Sequence, residues 1–226
     1  MTQALLFDVF GTCVDWRSAI ARAVTKALPG VDALAFADAW RGEYDPAMAR
    51  IRAGDRGYVA LDDLHRENLH RVAERFGVRA PDALAQAWER LDPWPDTVAG
   101  LHAIAARALI APCSNGSIAL MARLAKHALL PWHCILGADI ARDYKPKPAV
   151  YLAACDALRL PPEAVMMVAA HNNDLAAARA LGLKTAFVAR PTEYGPNQTT
   201  DLVAEADWDI IAPDFLVLAD RLVDAR

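Results

Sequence analysis

Residues 4–15 read Ala-Leu-Leu-Phe-Asp-Val-Phe-Gly-Thr-Cys-Val-Asp, an apolar run broken by one carboxylate, Asp8, and closed by Gly11-Thr12. A run without alternation has no solvent face, so it predicts a strand buried on both sides, as in parallel sheets. Asp8 then falls at the C-terminal end of that strand, and open α/β sheets bind ligands beyond those ends. A carboxylate is costly to bury there unless it is paired, hydrogen-bonded or used in chemistry. The structural alternative is a buried Asp that caps the next turn.

The rest of the chain predicts a layered fold. Segments of helical spacing follow over residues 17–28, 33–53, 61–76 and 81–91, with Pro46 placed to kink or split the second. Pro29-Gly30 ends the first of them, and Asp62-Asp63 opens the third. No strong strand signal interrupts them. Four helical segments after one strand do not fit plain β-α-β alternation and predict a helical insertion. Beyond Trp94-Pro95-Asp96 the pattern changes to alternation. Apolar strands are expected at 108–113, 134–136, 165–170, 185–189 and 208–211, with helices at 97–107, 118–129, 148–158, 175–181 and 215–223. The stretch from Pro191 to Gln198 reads as a surface loop. The expectation is an α/β core of residues 1–14 and 95–226, a parallel sheet flanked by helices, with 15–94 as an inserted helical subdomain.

Composition narrows the function classes. Hydrophobic residues make up 55% of the 226, enough for a large core. The net charge of −4 and the lack of a long basic block argue against nucleic acid. No run of about 20 apolar residues is present, so no membrane span is expected. The N-terminus enters the strand without a basic leader, and a cytoplasmic location is expected. Cys13, Cys113, Cys134 and Cys155 form no C-x-x-C pair and have no zinc spacing. They read as small buried hydrophobes of a reducing compartment.

Polar residues stand at the ends of three predicted strands: Asp8, then Ser114-Asn115, then His171 to Asp174. Lys145 lies between the second and third, in Tyr144-Lys145-Pro146-Lys147-Pro148. Taken singly, Ser114 reads equally as a helix N-cap, Lys145 as a surface lysine and Asp174 as a first-turn acid. Taken together and in order, they resemble the four motifs of the haloacid dehalogenase superfamily, with Phe7-Asp8-x-Phe10-Gly11-Thr12 as the first. That resemblance implies a Rossmann-like core with an inserted cap.

Members of that superfamily with phosphatase activity carry Asp-x-Asp, whose second Asp transfers a proton. Here Phe10 holds that place and cannot do so. Phosphatases also hold Mg²⁺, which demands oxygen ligands, and the fourth motif offers one acid, Asp174. A halide leaving group needs neither proton nor metal. The pattern Asp8-x-Phe10-Gly11-Thr12, Ser114-Asn115-Gly116-Ser117, Lys145-Pro146-x-Pro148-x-x-Tyr151 and a single Asp174 is similar to the type II (S)-2-haloacid dehalogenases. The resemblance implies hydrolysis of short 2-haloacids without metal or cofactor, through an ester on Asp8. It implies that Lys145 keeps Asp8 ionised, that Thr12 orients it, and that Ser114 with backbone N–H groups holds the substrate carboxylate. Arg41 and Asn115 would receive the halide, Asp174 would position or activate water, and Tyr151 would support the site.

One departure stands out. Many members carry Ser-x-Asn-x-x-Asp in the fourth motif, where this chain has Ala169-Ala170-His171-Asn172-Asn173-Asp174. Ala169 cannot replace a hydroxyl, and His171 could contact water, Asp174 or halide. A Mg²⁺-dependent phosphatase of small esters and a binding module on the same fold stay open as alternatives. The helices of the insertion are apolar enough to permit a homodimer.

Overall fold

The first apolar run forms β1, Ala4–Phe7, in a computed structural model that describes residues 2–224. All four of its side chains are buried, because apolar layers cover both faces of the sheet. Leu5 stands beside Ile110 of β4 (Leu109–Ser114) on one edge and beside Met166 of β6 (Val165–Ala169) on the other. With β5 (Leu136–Gly137), β7 (Lys184–Val188) and β8 (Ile210–Ala212) they make a parallel six-stranded sheet in the order β5-β4-β1-β6-β7-β8. The chain builds outward from β1 through β4 to β5, then crosses back to β6. The order therefore reverses beside β1, and a crevice opens at that point. Successive β1 side chains enter opposite layers: Leu5 and Phe7 join one apolar cluster, Ala4 and Leu6 the other.

The short ribbon of β2 (Val14–Asp15) and β3 (Asp92–Pro93) is antiparallel and was not legible as strand. Two-residue strands carry no periodicity. Between its two strands lie α1 (Trp16–Ala27), α2 (Ala33–Gly42), α3 (Tyr44–Arg52), α4 (Leu61–Arg75) and a 3-10 helix, Asp82–Glu89. Asp15 and Asp32 cap α1 and α2 by accepting from Ser18 N and Ala35 N, each at 3.0 Å. The segment expected over 33–53 is indeed split, and Pro46 sits in the first turn of α3, where its missing N–H costs nothing. The segment expected as helix over 81–91 is 3-10.

Trp16, Trp40 and Trp88 are fully buried at the centre of this insertion. Phe10, from the loop after β1, packs edge-on to Trp88 at 5.7 Å, so the apolar interior of the insertion is continuous with the core. Polar contacts join the two parts as well. Tyr144 Oη donates to Val59 O at 2.6 Å, and Arg52 Nη1 donates to Lys145 O at 3.1 Å.

The core helices are α5 (Thr97–Ala105), α6 (Ile118–Ala128), the one-turn α7 (Ala138–Ala141), α8 (Pro148–Leu158), α9 (Asn172–Arg179) and α10 (Phe215–Asp224). All four cysteines are free, three of them buried, and burial pushes the Cys113 thiol up to about 12. Among the described residues no helix is long and apolar enough to cross a membrane.

Candidate active site

Asp8 sits one residue beyond β1, at the crevice. Its backbone N–H bonds to Val168 O at 2.9 Å, so pairing with β6 fixes where the carboxylate starts. Each carboxylate oxygen has partners. Lys145 Nζ donates to Oδ1 at 2.9 Å. Thr12 Oγ1 donates to Oδ2 at 2.7 Å and itself accepts from Ala170 N at 2.9 Å. His171 Nδ1 lies 3.2 Å from Oδ2. Burial alone would raise the Asp8 carboxyl, but Lys145 and His171 outweigh it and hold Asp8 well below the usual carboxylate range.

Lys145 Nζ also bonds to Asp174 Oδ2, so one ammonium occupies the gap between two buried carboxylates. Burial would lower that ammonium; Asp174 and Asp8 reverse the effect and raise it well above its ordinary value. Asp174 lies in the first turn of α9, and its second oxygen accepts from Tyr151 Oη at 2.5 Å. Burial pushes the Tyr151 phenol far up, so it is a donor at any ordinary pH. Lys145 and Tyr151 of one motif and Asp174 of another thus form one chain of contacts ending on Asp8.

A cavity of about 580 Å³ opens above this group. Asp8, Lys145, Asn115, His171 and Asp174 line it from the core. Arg41 lines it from α2, with Trp16 of α1 and Tyr44 of α3. The Arg41 guanidinium lies 4.0 Å over the Tyr44 ring and 5.6 Å from the Trp16 ring, and its Nε is buried without a partner. A cation is thereby pointed into an aromatic wall, with donor capacity left for a ligand. Asn115 Oδ1 accepts from Lys145 N at 2.8 Å, which aims its amide nitrogen elsewhere.

Ser114 lies behind the cavity wall. It is fully buried, and its Oγ accepts from Gly116 N at 3.0 Å. It shapes the turn that presents Asn115. His171 touches Asp8, not Asp174, and its other nitrogen, Nε2, lies 2.8 Å from Glu193 Oε2. Burial would lower the imidazole; Glu193 and Asp8 raise it well above its ordinary value.

Glu193 was invisible in the sequence. It belongs to the stretch read as a surface loop, yet it is 1% exposed. Trp16 Nε1 donates to its Oε1 at 2.9 Å. A β-carbon at Gly11 would lie 2.0 Å from Oε1, so the backbone at Gly11 makes room for this carboxylate. Tyr44 falls within the helical spacing over 33–53, and Trp16 at the end of the first apolar run carries no signal of its own. No local signal separates a core aromatic from one that lines a cavity. Asn172 points away from the cavity and accepts from Trp208 Nε1 at 3.0 Å, whereas Asn173 lines it.

The family model described as haloacid dehalogenase-like hydrolase matches residues 2–182, and a second, HAD-hydrolase-like, matches 144–224. The solved structure of a defluorinating L-2-haloacid dehalogenase is 49% identical, with a TM-score of 0.95 over 98% of this chain and 95% of that one. Another L-2-haloacid dehalogenase is 52% identical, with a TM-score of 0.94 over 99% and 100%. The L-2-haloacid dehalogenase of Xanthobacter autotrophicus, solved with chloropropionic acid covalently bound, is 25% identical, with a TM-score of 0.84 over 99% of each chain.

Proposed function

Because the chain belongs to the haloacid dehalogenase-like hydrolases, we propose that it hydrolyses the carbon–halogen bond of short (S)-2-haloacids, with Asp8 as nucleophile. The observation that carries this reading is Lys145 Nζ, bonded to both Asp8 and Asp174. That ammonium keeps Asp8 ionised for attack and ties it to Asp174.

The ionised Asp8 attacks the halogen-bearing carbon from behind, and the halide leaves with the bonding electrons. The products of this step are an aspartyl ester with inverted configuration and a halide ion. The leaving charge develops away from Asp8, toward the wall built by Arg41, Tyr44 and Trp16. A preorganised guanidinium in a partly dry site stabilises such charge. Thr12 and Lys145 fix the carboxylate so that little reorganisation is needed at attack. Water then adds to the Asp8 carbonyl carbon, the acyl–oxygen bond breaks, and a 2-hydroxy acid leaves with an oxygen that came from Asp8. Asp174 and Tyr151 serve this cycle by holding Lys145.

The test is a single turnover of 2-chloropropionate in heavy-oxygen water with enzyme in excess, run with and without EDTA. Label is expected in the peptide containing Asp8, with unlabelled product and unchanged halide release under chelation. Label in the first-turnover product would make Asp8 a base. Loss of halide release on chelation, restored by Mg²⁺, would overturn the metal-independent reading.

A further inference from the structure

Lys145 is fixed at both ends of its backbone, and the two anchors come from different parts of the molecule. Its N–H donates to Asn115 Oδ1 at 2.8 Å, from the turn after β4 of the core. Its carbonyl accepts from Nη1 of Arg52 at 3.1 Å, from the last residue of α3 in the insertion. Pro146 leaves the Lys145–Pro146 peptide without an N–H, so the carbonyl is the one polar handle of that unit. Arg52 is suited to hold it. Its side chain is 14% exposed, and Asp45, in the first turn of the same helix, accepts from its Nη2 at 2.6 Å. The guanidinium fork thus directs one arm to its own helix and the other to Lys145. Where this backbone stands matters because the ammonium at its end is shared. Nζ lies 2.9 Å from Asp8 Oδ1 and 2.5 Å from Asp174 Oδ2. A released backbone would leave the closer carboxylate, Asp174, to keep the ammonium at the expense of Asp8.

We propose that Arg52 is a positioning residue for the alkylation step: from the insertion it fixes the Lys145 backbone, so that Nζ stays on Asp8 only while the insertion is seated on the core. This rests on Asp8 being the nucleophile. Arg52 acts on the reaction through Lys145 and not by touching substrate. A backbone shift on the order of 1 Å at Lys145 carries the ammonium with it, and a misplacement of that size costs about 10²-fold in rate. Substrate binding is a separate matter, because Arg41 and Tyr44 keep their stacking on the opposite wall of the cavity. A neighbouring contact across the same seam supplies the comparison. Tyr58 Oη donates to Asp139 Oδ1 at 2.5 Å and ties the insertion to α7 without touching the peptide of Lys145. Its loss weakens the seating of the insertion in general, whereas loss of Arg52 frees the Lys145 carbonyl in particular.

The test is single-turnover alkylation by 2-chloropropionate with enzyme in excess, at a series of enzyme concentrations. Halide and the mass of the Asp8 peptide are followed in parallel. Arg52→Met keeps an apolar stem and removes the donors. Its rate at saturation should fall by about tenfold or more, with the half-saturating concentration within about threefold of the unsubstituted enzyme. Tyr58→Phe should change neither quantity by more than about threefold. In the double variant Lys145→Gln with Arg52→Met, the rate should lie within about twofold of Lys145→Gln alone, because a residue that acts through Lys145 then has nothing left to act on. A merely structural Arg52 would slow both backgrounds alike. Arg52→Leu, with the same loss of donors, replaces Arg52→Met should the latter not fold. A smaller fall at saturation, additive slowing in the double variant, or equal slowing by Tyr58→Phe would overturn this inference alone. Halide release without any adduct on Asp8 would overturn the nucleophile reading and this inference with it.

Discussion

Lys145 holds two carboxylates within reach of one ammonium, and its substitution separates charge control from mere packing. With Lys145 present, Asp8 is ionised throughout the ordinary pH range, so the alkylation rate should be flat from about pH 5 to 8. Lys145→Gln leaves Asp8 buried and close to Asp174 without that cation, and both changes raise its carboxyl. An acid limb should then appear in single-turnover alkylation, with the rate rising as pH rises through a value at or above the usual carboxylate range. A flat profile in the variant would assign Asp8 ionisation to His171. The sign for stability follows the same residue. Because folding raises the Lys145 ammonium, its contribution is complete below about pH 10.5 and is lost as pH rises through the folded value. Arg41 is tested by turnover. Its guanidinium, stacked on Tyr44 with Nε unpartnered, is the cation nearest the proposed halide wall. Arg41→Ala should lower turnover by about 10²-fold or more, as for loss of one preorganised donor. Turnover near normal would place the halide elsewhere.

The loop between β1 and β2 is the element that converts a strand end into a site. Gly11 has φ of +89°, a region that L side chains adopt at a cost of about 1–2 kcal/mol. Its carbonyl accepts from Trp94 Nε1 at 2.8 Å, and Cys13 O accepts from Thr97 Oγ1 at 2.8 Å, so residues that follow the ribbon clamp the loop. Gly11→Ala should lower the melting temperature by at least about 2 °C, the smaller end of that strain in a chain of this size. It should also displace Glu193, whose carboxylate occupies the space of the new methyl group. Turnover should fall as well, because the contacts of that carboxylate with Trp16 and His171 at the cavity are lost. A lowered melting temperature with unchanged turnover would mean that Glu193 only packs the loop.

The whole molecule couples insertion and core through one apolar interior. Phe10 joins Trp88, and Trp88 joins Trp40 at 5.6 Å, within the cluster that also holds Phe7, Ile110 and Phe215. Neither part could unfold alone without exposing large aromatic surface, at a cost of about 25 cal/mol per Å². Calorimetry should accordingly record one cooperative transition, with van't Hoff and calorimetric enthalpies equal. Two resolved transitions would show that the insertion folds as a separate unit. The same coupling places the site at a seam. The core supplies Asp8, Lys145 and His171, the insertion supplies Arg41, Tyr44 and Trp16, and neither alone encloses the cavity.

Sequence alone determined what is local or periodic. The unalternating run around Asp8 predicted a strand buried on both sides. The switch from helical spacing to strand–helix alternation near Trp94 predicted an insertion in a parallel α/β core. Asp8, Thr12, Lys145, Tyr151 and Asp174 were legible because each falls at a strand end or in a spaced motif, and the fold brings them into contact. Contacts between residues far apart in the chain were decided only by tertiary structure. Glu193 meets Trp16 across 177 residues, and nothing in the Pro- and Gly-containing stretch around it marks a buried carboxylate. The two-residue strands of the ribbon are too short to show a period, and Tyr44 shares its helical stripe with true core residues. His171 was visible as a departure from the family pattern, but its partners were not. Its position between Asp8 and Glu193 is set by how the loop after β7 folds back over β1, a long-range packing event that no window of sequence encodes.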